Sequence, residues 1–502
     1  TYKKRTIYLI TGANDGMLHA FRVGYFNETG DPNKPLRLID AFSTTSISNI
    51  GKEEWAFIPR NAIPYLIWYG HSGYCRVPII DYRTFVVDAS IGGEANVEKT
   101  AGSWRTLLIG VMGFGGKQLA SYSSSIFVLD LTDWLNGNTD KPTLLWEKTL
   151  PDNTLTLSFP VVVRRGEPAK NGDWYVVIGS GPKDPKGETF VTNPKIYVFN
   201  LRDGSLVQGM SIPDAQNMAV GDLYAADVDN DYQDDVIYFG TYSTSTGNLY
   251  RMKLSDFSIS KAFTVNAPIF AAPNITKGER DTFWVYFATG RFLRTEDKDF
   301  NYTNYLVGFK DECIKGACTT TYTLNDLLDR TNFDYSNRII ARTEFTCMCS
   351  WDGCRQEEVV VDSYYNGTSP SEPPRGWYHR LTNNATHKEM IYSQPFVFGR
   401  NLDALIFRTS EDICKIGGET YFMALCYNTG ALCPKPSVIT TVDKFNQVKI
   451  FLAQGAPPFG QPFVITLVGK DTYTVITSIG GTLTSLGRGL SETSRFILWI
   501  EK

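Results

Sequence analysis

Five aspartates fall within nine residues at Asp227-Val-Asp229-Asn-Asp231-Tyr-Gln233-Asp-Asp235, and this spacing is the most chemically specific feature of the chain. Carboxylates at the first, third, fifth and ninth positions of a loop, with a backbone carbonyl at the seventh, converge when the loop wraps a cation. That arrangement is the front of an EF-hand loop. The expected ligands are therefore Asp227, Asp229, Asp231, the backbone oxygen of Gln233, and Asp235. All are hard oxygen donors. Calcium takes about six to eight of these with loose geometry, whereas magnesium demands a tight octahedron and zinc prefers nitrogen or sulfur, so calcium is the expected ion. The bland alternative is a solvated acidic turn. Without a cation, however, crowded carboxylates repel at contact distance, each pair costing on the order of 1 kcal/mol near a surface.

The loop departs from the EF-hand in two places. Tyr232 stands at the sixth position, where a glycine is usual, and Tyr238 stands at the twelfth, where a bidentate glutamate is usual. The flanks AVGDLYAA and VIYFGTY read as strands instead of helices, so a β-hairpin version is expected, with Asp235 closing the shell and water completing it. Fewer charged, less rigid ligands imply an affinity nearer the extracellular range of roughly 10⁻⁵ to 10⁻³ M. A second acidic stretch, Glu296-Asp297-Lys298-Asp299-Phe-Asn301, reads as a polar turn, because Lys298 intrudes and no carboxylate closes it.

Other reactive residue types offer less. The nine cysteines are Cys75, Cys313, Cys318, Cys347, Cys349, Cys354, Cys414, Cys426 and Cys433. Clustering in short loops suits disulfides formed in an oxidising compartment, and Cys313–Cys318 and Cys426–Cys433 are the expected local pairs. Zinc fits poorly, since Cys347 and Cys349 lack knuckle spacing and no histidine joins them. The odd count leaves one thiol free or paired outside the chain. Ser180 in GSGPK and the glycines of GFGGK (113–117) lack nucleophile-elbow and Walker spacing and read as turns. His19 reads as a packed or hydrogen-bonded strand residue, while His71, His379 and His387 read as loop residues without a ligand-spaced partner.

These residues need a scaffold, and the scaffold reads as all-β. Phe, Tyr and Trp make up 13% of the chain, and 43 Gly and 24 Pro supply turns between half-buried pleated segments. A unit of alternating strand, Asx/Gly turn and second strand recurs at 7–21, 125–134, 195–207, 247–257, 304–312 and 420–432. Several copies keep the roughly 40–50 residue period of propeller blades. Near-continuous apolar runs ending at Gly (104–113, 173–181, 234–242, 283–290, 462–470) read as inner strands. The final segment SRFILWIEK (494–502) is expected to pair with the 7–21 region and so remove an edge. One β-propeller domain over 1–502 is expected, interrupted at about 311–376 by an insertion holding five cysteines, a helical-looking piece (323–334) and a Pro-rich exit.

A net charge of −4 offers no footprint for polyanions, so nucleic acid and acidic membrane surfaces are poor partners. No run approaches the ~20 apolar residues of an integral membrane segment. The chain begins without a signal-peptide pattern and reads as the mature or trimmed part of something longer.

An ordered series of segments resembles the PilY/PilC family of type IV pilus adhesins. It includes GANDGMLHAF (12–21), EEWAFIPRNAIPYL (53–66), WRTLLIGVMGFGGK (104–117), the acidic loop with its flanks (221–254), VYFATGRFLRTEDKDFNYTNYLVGF (285–309), RGWYHRL (375–381), CKIGGETYFMALCYNTG (414–430) and the closing SRFILWIEK. The resemblance implies a modified seven-bladed propeller, similar to quinoprotein dehydrogenases, forming the C-terminal part of a secreted pilus-tip protein whose N-terminal region, often von Willebrand A-like, precedes Thr1. It also implies calcium at Asp227, Asp229, Asp231, Gln233 and Asp235, controlling pilus extension against retraction and supporting twitching and attachment. The implied partners are minor pilins and a host or abiotic surface. The resemblance implies no enzyme. The alternatives are a pyrroloquinoline-quinone dehydrogenase, against which stands the lack of an adjacent Cys-Cys pair, and a carbohydrate-binding propeller, which abundant Trp and Tyr would suit.

Overall fold

The computed structural model describes residues 6–28, 36–39, 49–74, 77–116, 124–278, 282–315, 318–331, 342–350, 353–361, 375–398, 401–410, 417–431, 438–439, 444–445, 449–460, 463–466, 472–479 and 482–489. The expected terminal strand at 494–502 and the residues Cys75, Cys414 and Cys433 lie outside them. The chain forms two compact units, residues 1–235 and 236–501.

Among the described residues the first unit holds three sheets of four strands each. In the first, Leu18–Glu28 pairs antiparallel with Ile7–Gly12, Leu36–Ile39 and Glu53–Phe57. The second runs Phe85–Ala89, Arg105–Val111, Ser125–Asp130, Thr143–Thr149, and the third Val161–Arg165, Asp173–Gly179, Lys195–Asn200, Leu206–Ser211, both in chain order and antiparallel throughout. Strand Ala219–Ala226 then leads into the acidic loop. This meander is how a propeller blade is built. Covered on both faces, the inner strands are apolar without alternation: Leu107, Leu108, Ile109 and Val111 are fully buried, as are Ile126, Phe127 and Val128.

The second unit holds five further sheets among the described residues, one of them a two-stranded hairpin. Its first contains Val236–Tyr242, Leu249–Lys253 and Ile259–Thr264, with Tyr322–Thr323 added parallel at the edge. Next come Asn274–Lys277, Phe283–Ala288 and Tyr305–Lys310, whose fourth partner, Gly376–Arg380, arrives only after the insertion. Two more sheets are centred on Asn401–Thr409 with Gly418–Cys426 and on Thr472–Ile479 with Thr482–Gly489.

The insertion is more ordered than a loop. It contributes edge pieces to two sheets and a separate hairpin, Arg342–Ser350 with Gly353–Val361, in which Cys349 stands opposite Cys354. Over its described residues, 323–331, the helical-looking piece is not an α-helix. Thr323 and Asp326 close a capping box on a single 3-10 turn, Leu324–Asp326, and the backbone extends again at Leu328–Asp329. The 3-10 turn is three residues long and Leu327 is already extended, so a helix has nothing to propagate along. At the root of the insertion, Cys313 and Cys318 form the expected disulfide. Cys426 is also disulfide-bonded.

A buried ion pair holds that root in place. Asp311 Oδ2 accepts from Arg251 Nη1 at 2.7 Å and from the Tyr238 hydroxyl at 2.5 Å, while Oδ1 accepts from Cys313 N at 2.8 Å. The second arm of Arg251 donates to Thr320 O at 2.8 Å, past the disulfide.

Candidate metal centre

The acidic loop lies between two fixed ends. Its incoming strand is anchored at Asp222, a fully buried carboxylate that accepts from Tyr82 Oη (2.8 Å), Phe159 N (2.8 Å) and Arg83 Nη2 (2.7 Å). Burial pushes the Asp222 carboxyl above its ordinary value, and Arg83 opposes this. At the far end, Asp235 N donates to Ala226 O at 2.9 Å, drawing the two ends together.

Inside, the loop winds around Asp227. Its Oδ1 accepts from Asn230 N (2.7 Å) and Asp231 N (3.3 Å), and its Oδ2 from Tyr232 N (2.8 Å). Asn230 and Tyr232 take left-handed backbone angles, φ +62° and +69°, which is how nine residues without glycine turn so tightly. Asp229 Oδ1 accepts from Asp231 N at 3.2 Å, and Asp235 Oδ2 from Val228 N at 2.8 Å.

The structure brings Asp227, Asp229 and Asp235 together, with one carboxylate oxygen of each within 4.8 Å of the others. Asp231 is not in that group: Gln233 N and Gln233 Nε2 donate to its two oxygens at 2.8 and 2.7 Å. Gln233 is thereby tied through its side chain, where the spacing assigned it only a backbone oxygen. The Asp235 carboxyl is pushed up, by its burial first and then by Asp229, Asp227 and Asp231, against the lowering effect of the Val228 hydrogen bond. Uncompensated negative charge is what a divalent cation relieves. Every donor in the group is a carboxylate oxygen, so the set fits a hard ion and offers nothing to a soft one.

Three residues that sequence reasoning missed hold the loop from outside. Arg164 Nη1 donates to Tyr232 O at 3.1 Å, Arg165 Nη1 to Asp234 O at 3.2 Å, and Gly166 N to Gln233 Oε1 at 2.8 Å. The only signal in the chain is that the apolar strand VVVRR ends in two arginines, more than sixty residues from the loop. No spacing rule connects the two.

The Glu296–Asn301 stretch is a turn built on an ion pair, with nearly buried Asp297 accepting from Arg291 Nη2 (2.7 Å), Leu293 N (2.9 Å) and Arg294 Nε (3.3 Å). Ser180 is a buried strand-end residue that accepts from Lys195 N at 2.9 Å. His19 bonds Glu53 at 2.7 Å and Asp15 at 2.9 Å. His379, expected in a loop, lies in strand Gly376–Arg380 and is buried together with Gly376, Trp377 and Tyr378, because this strand is covered on both faces.

Comparison with known proteins agrees with this architecture. The PilY1 beta-propeller domain family matches residues 1–267. A type IV pilus biogenesis factor PilY1 homolog of Xylella fastidiosa (strain Temecula1) is 27% identical over 448 residues, covering 85% of this chain and 29% of that protein. The type IV pilus biogenesis factor PilY1 of Pseudomonas aeruginosa (strain UCBPP-PA14) is 24% identical over 484 residues, covering 85% of this chain and 36% of that protein. The chain thus spans about a third of the length of these relatives. The crystal structure of the Pseudomonas aeruginosa PilY1 C-terminal domain superposes with a TM-score of 0.61 at 20% identity, covering 96% of this chain and 93% of that one. The fold is a β-propeller, as the blade-length repeats predict.

Proposed function

The chain belongs to the PilY1 beta-propeller family, whose match spans residues 1–267, and from that premise we propose that it is a calcium-binding, pilus-associated adhesin module. In this reading it supports type IV pilus biogenesis, the balance of extension and retraction, twitching motility and surface attachment. It works by binding, not by catalysis, as one propeller domain of a longer protein. Its place is the cell surface at the pilus tip, reached through the periplasm and outer membrane, where it meets minor pilins and a host or abiotic surface.

The observation that carries the calcium part is the convergence of Asp227, Asp229 and Asp235 in one nine-residue loop. Asp231 and the Gln233 backbone oxygen are the further ligands, and recruiting Asp231 means exchanging its Gln233 hydrogen bonds for the ion. Bound calcium supplies positive charge and cross-links the loop; the chain's own carboxylates set where it sits. Carbohydrate stacking is the less favoured function. Trp146, Trp174 and Trp377 are all under a tenth exposed and donate their indole N–H to the backbone carbonyls of Leu201, Asn171 and Tyr427, so these aromatics serve the core.

Two measurements test the reading. Calorimetry should detect calcium binding in the wild-type chain and none in Asp227→Ala, and cells carrying Asp227→Ala in the full protein should differ from wild type in surface pili and twitching. Absence of calcium heat at millimolar concentration rejects the site, and normal piliation and motility reject its role.

A further inference from the structure

The Arg164 guanidinium is held by the backbone alone. The residue is completely buried, yet its guanidinium donates only to backbone carbonyls: Gly166 at 3.0 Å, Tyr232 at 3.1 Å, Glu167 at 2.5 Å and Lys170 at 2.7 Å. Burial opposes its charge, and the nearby carboxylates of Asp231 and Asp234 in the acidic loop favour it without bonding the guanidinium. Three of the four acceptors belong to the turn that curls around the guanidinium, and the fourth, Tyr232, lies in the acidic loop. The Arg164 main chain brackets the same loop, since its N–H donates to Asp234 Oδ2 at 3.0 Å and its carbonyl accepts from Asp234 N at 3.1 Å.

Tyr232 is the residue at which this loop needs help. It holds φ +69° at the position where an EF-hand loop uses glycine, and L-residues with side chains adopt that angle reluctantly. Its ring does not secure the turn, being 43% exposed. The Tyr232 amide is turned inward to Asp227 Oδ2 and the Tyr232 carbonyl outward to Arg164, so the peptide planes on both sides of the strained residue are held.

We propose that Arg164 is the positioning residue of the cation loop: by fixing the Tyr232 carbonyl it locks the left-handed turn that gathers Asp227, Asp229 and Asp235 around one ion. It takes the place of the conformational freedom that glycine would otherwise provide. The inference rests on the calcium reading for its ligand, though the positioning itself does not require the ion.

The test is a double-mutant cycle on the 502-residue chain, titrated calorimetrically with calcium chloride. Arg164→Lys retains the charge but cannot reproduce the forked donor set, so any loss is one of position. In the Tyr232 background it should weaken calcium binding by about tenfold, the scale of a disrupted outer-shell contact. In a Tyr232→Gly background the loss should fall below about threefold. Equal losses in both backgrounds, or none in either, overturn the proposal. Amide hydrogen exchange at Asn230, Asp231 and Tyr232 without calcium should be faster in Arg164→Lys. Unchanged exchange overturns the proposal even where calcium binds normally, whereas faster exchange with no wild-type calcium binding sustains it and rejects only the calcium reading. If Arg164→Lys does not fold, the Tyr232→Gly chain decides alone. With Arg164 in place any residue at 232 offers the same carbonyl, so affinity should stay within about threefold of wild type, and a tenfold loss would mean that the tyrosine ring holds the turn.

Discussion

The indole of Trp377 packs against Gly430, which turns the chain at φ +65° and leaves no room for a Cβ without collision with the ring. Around that contact the turn after strand Gly418–Cys426 receives four side-chain donors. Trp377 Nε1 and Tyr286 Oη donate to Tyr427 O at 2.9 and 3.1 Å, Arg330 Nε to Thr429 O at 3.1 Å, and His379 Nε2 to Gly430 O at 2.7 Å. The turn is thereby bonded to both the sheet containing Phe283–Ala288 and the insertion.

Gly430→Ala should therefore destabilise the chain by about 2 kcal/mol or more, combining a left-handed angle that alanine resists with overpacking against Trp377. Urea unfolding measures it. A cost below about 0.5 kcal/mol would mean that the indole moves aside freely.

His379 should make stability depend on pH. Burial, aided by Arg330, lowers its pKa to about 4, against the raising effect of the Gly430 hydrogen bond and Asp329. The folded chain therefore keeps the ring neutral where an unfolded one, with a pKa near ~6.5, takes up a proton. Above that unfolded value the two states bind alike and nothing is lost. As pH falls from about 6.5 to about 4 the unfolded state is favoured, by about 3 kcal/mol in total. Comparing wild type with His379→Gln by urea unfolding at pH 7 and pH 5, without calcium, should show the wild-type advantage shrinking at the lower pH. A constant difference would contradict a neutral buried ring.

The Arg251–Asp311 pair is buried on both sides, at 5% and 0% exposure. Asp311→Ala leaves the guanidinium uncompensated and also releases Tyr238 and Cys313 N, so a loss of about 3 to 5 kcal/mol is expected. Replacing both partners, as Arg251→Met with Asp311→Leu, should recover a substantial part of it. Additive losses in the double variant would show that the pair matters through packing alone.

Calcium should raise stability by mass action. At a free concentration one hundred times the dissociation constant, the gain is about 2.7 kcal/mol, seen as a higher urea midpoint at constant slope. Asp227→Ala and Asp229→Ala should each remove that dependence; Asp229→Ala, which gives up one long hydrogen bond and one of five crowded charges, should leave the calcium-free midpoint nearly unchanged, whereas Asp227→Ala should lower it, because three backbone N–H groups lose their acceptor. A wild-type midpoint indifferent to chelator would count against the site.

Much of the scaffold was legible because strands declare themselves locally. The runs at 104–113, 173–181 and 283–290 are apolar without alternation, and each folds as a strand covered on both faces. Cys313 and Cys318 are close enough in sequence that chain connectivity makes their pairing nearly unavoidable. The strand position of His379 is not legible because Gly376–Arg380 is short, is buried on both faces and so shows no period of two, and sits beside the insertion.

The donor spacing of the acidic loop was likewise a property of nine adjacent residues, and the sequence alone determined which oxygens a cation could find. How the loop holds its shape was decided only by tertiary structure. Tyr232 needs an angle for which the loop itself supplies only the amide's partner, Asp227, and the group that meets its carbonyl, Arg164, comes from a strand sixty-eight residues earlier. Buried charges such as Arg164 and Asp311 obey the same rule. Their partners are chosen by desolvation, which exists only once sheets have packed, and no spacing along the chain encodes it.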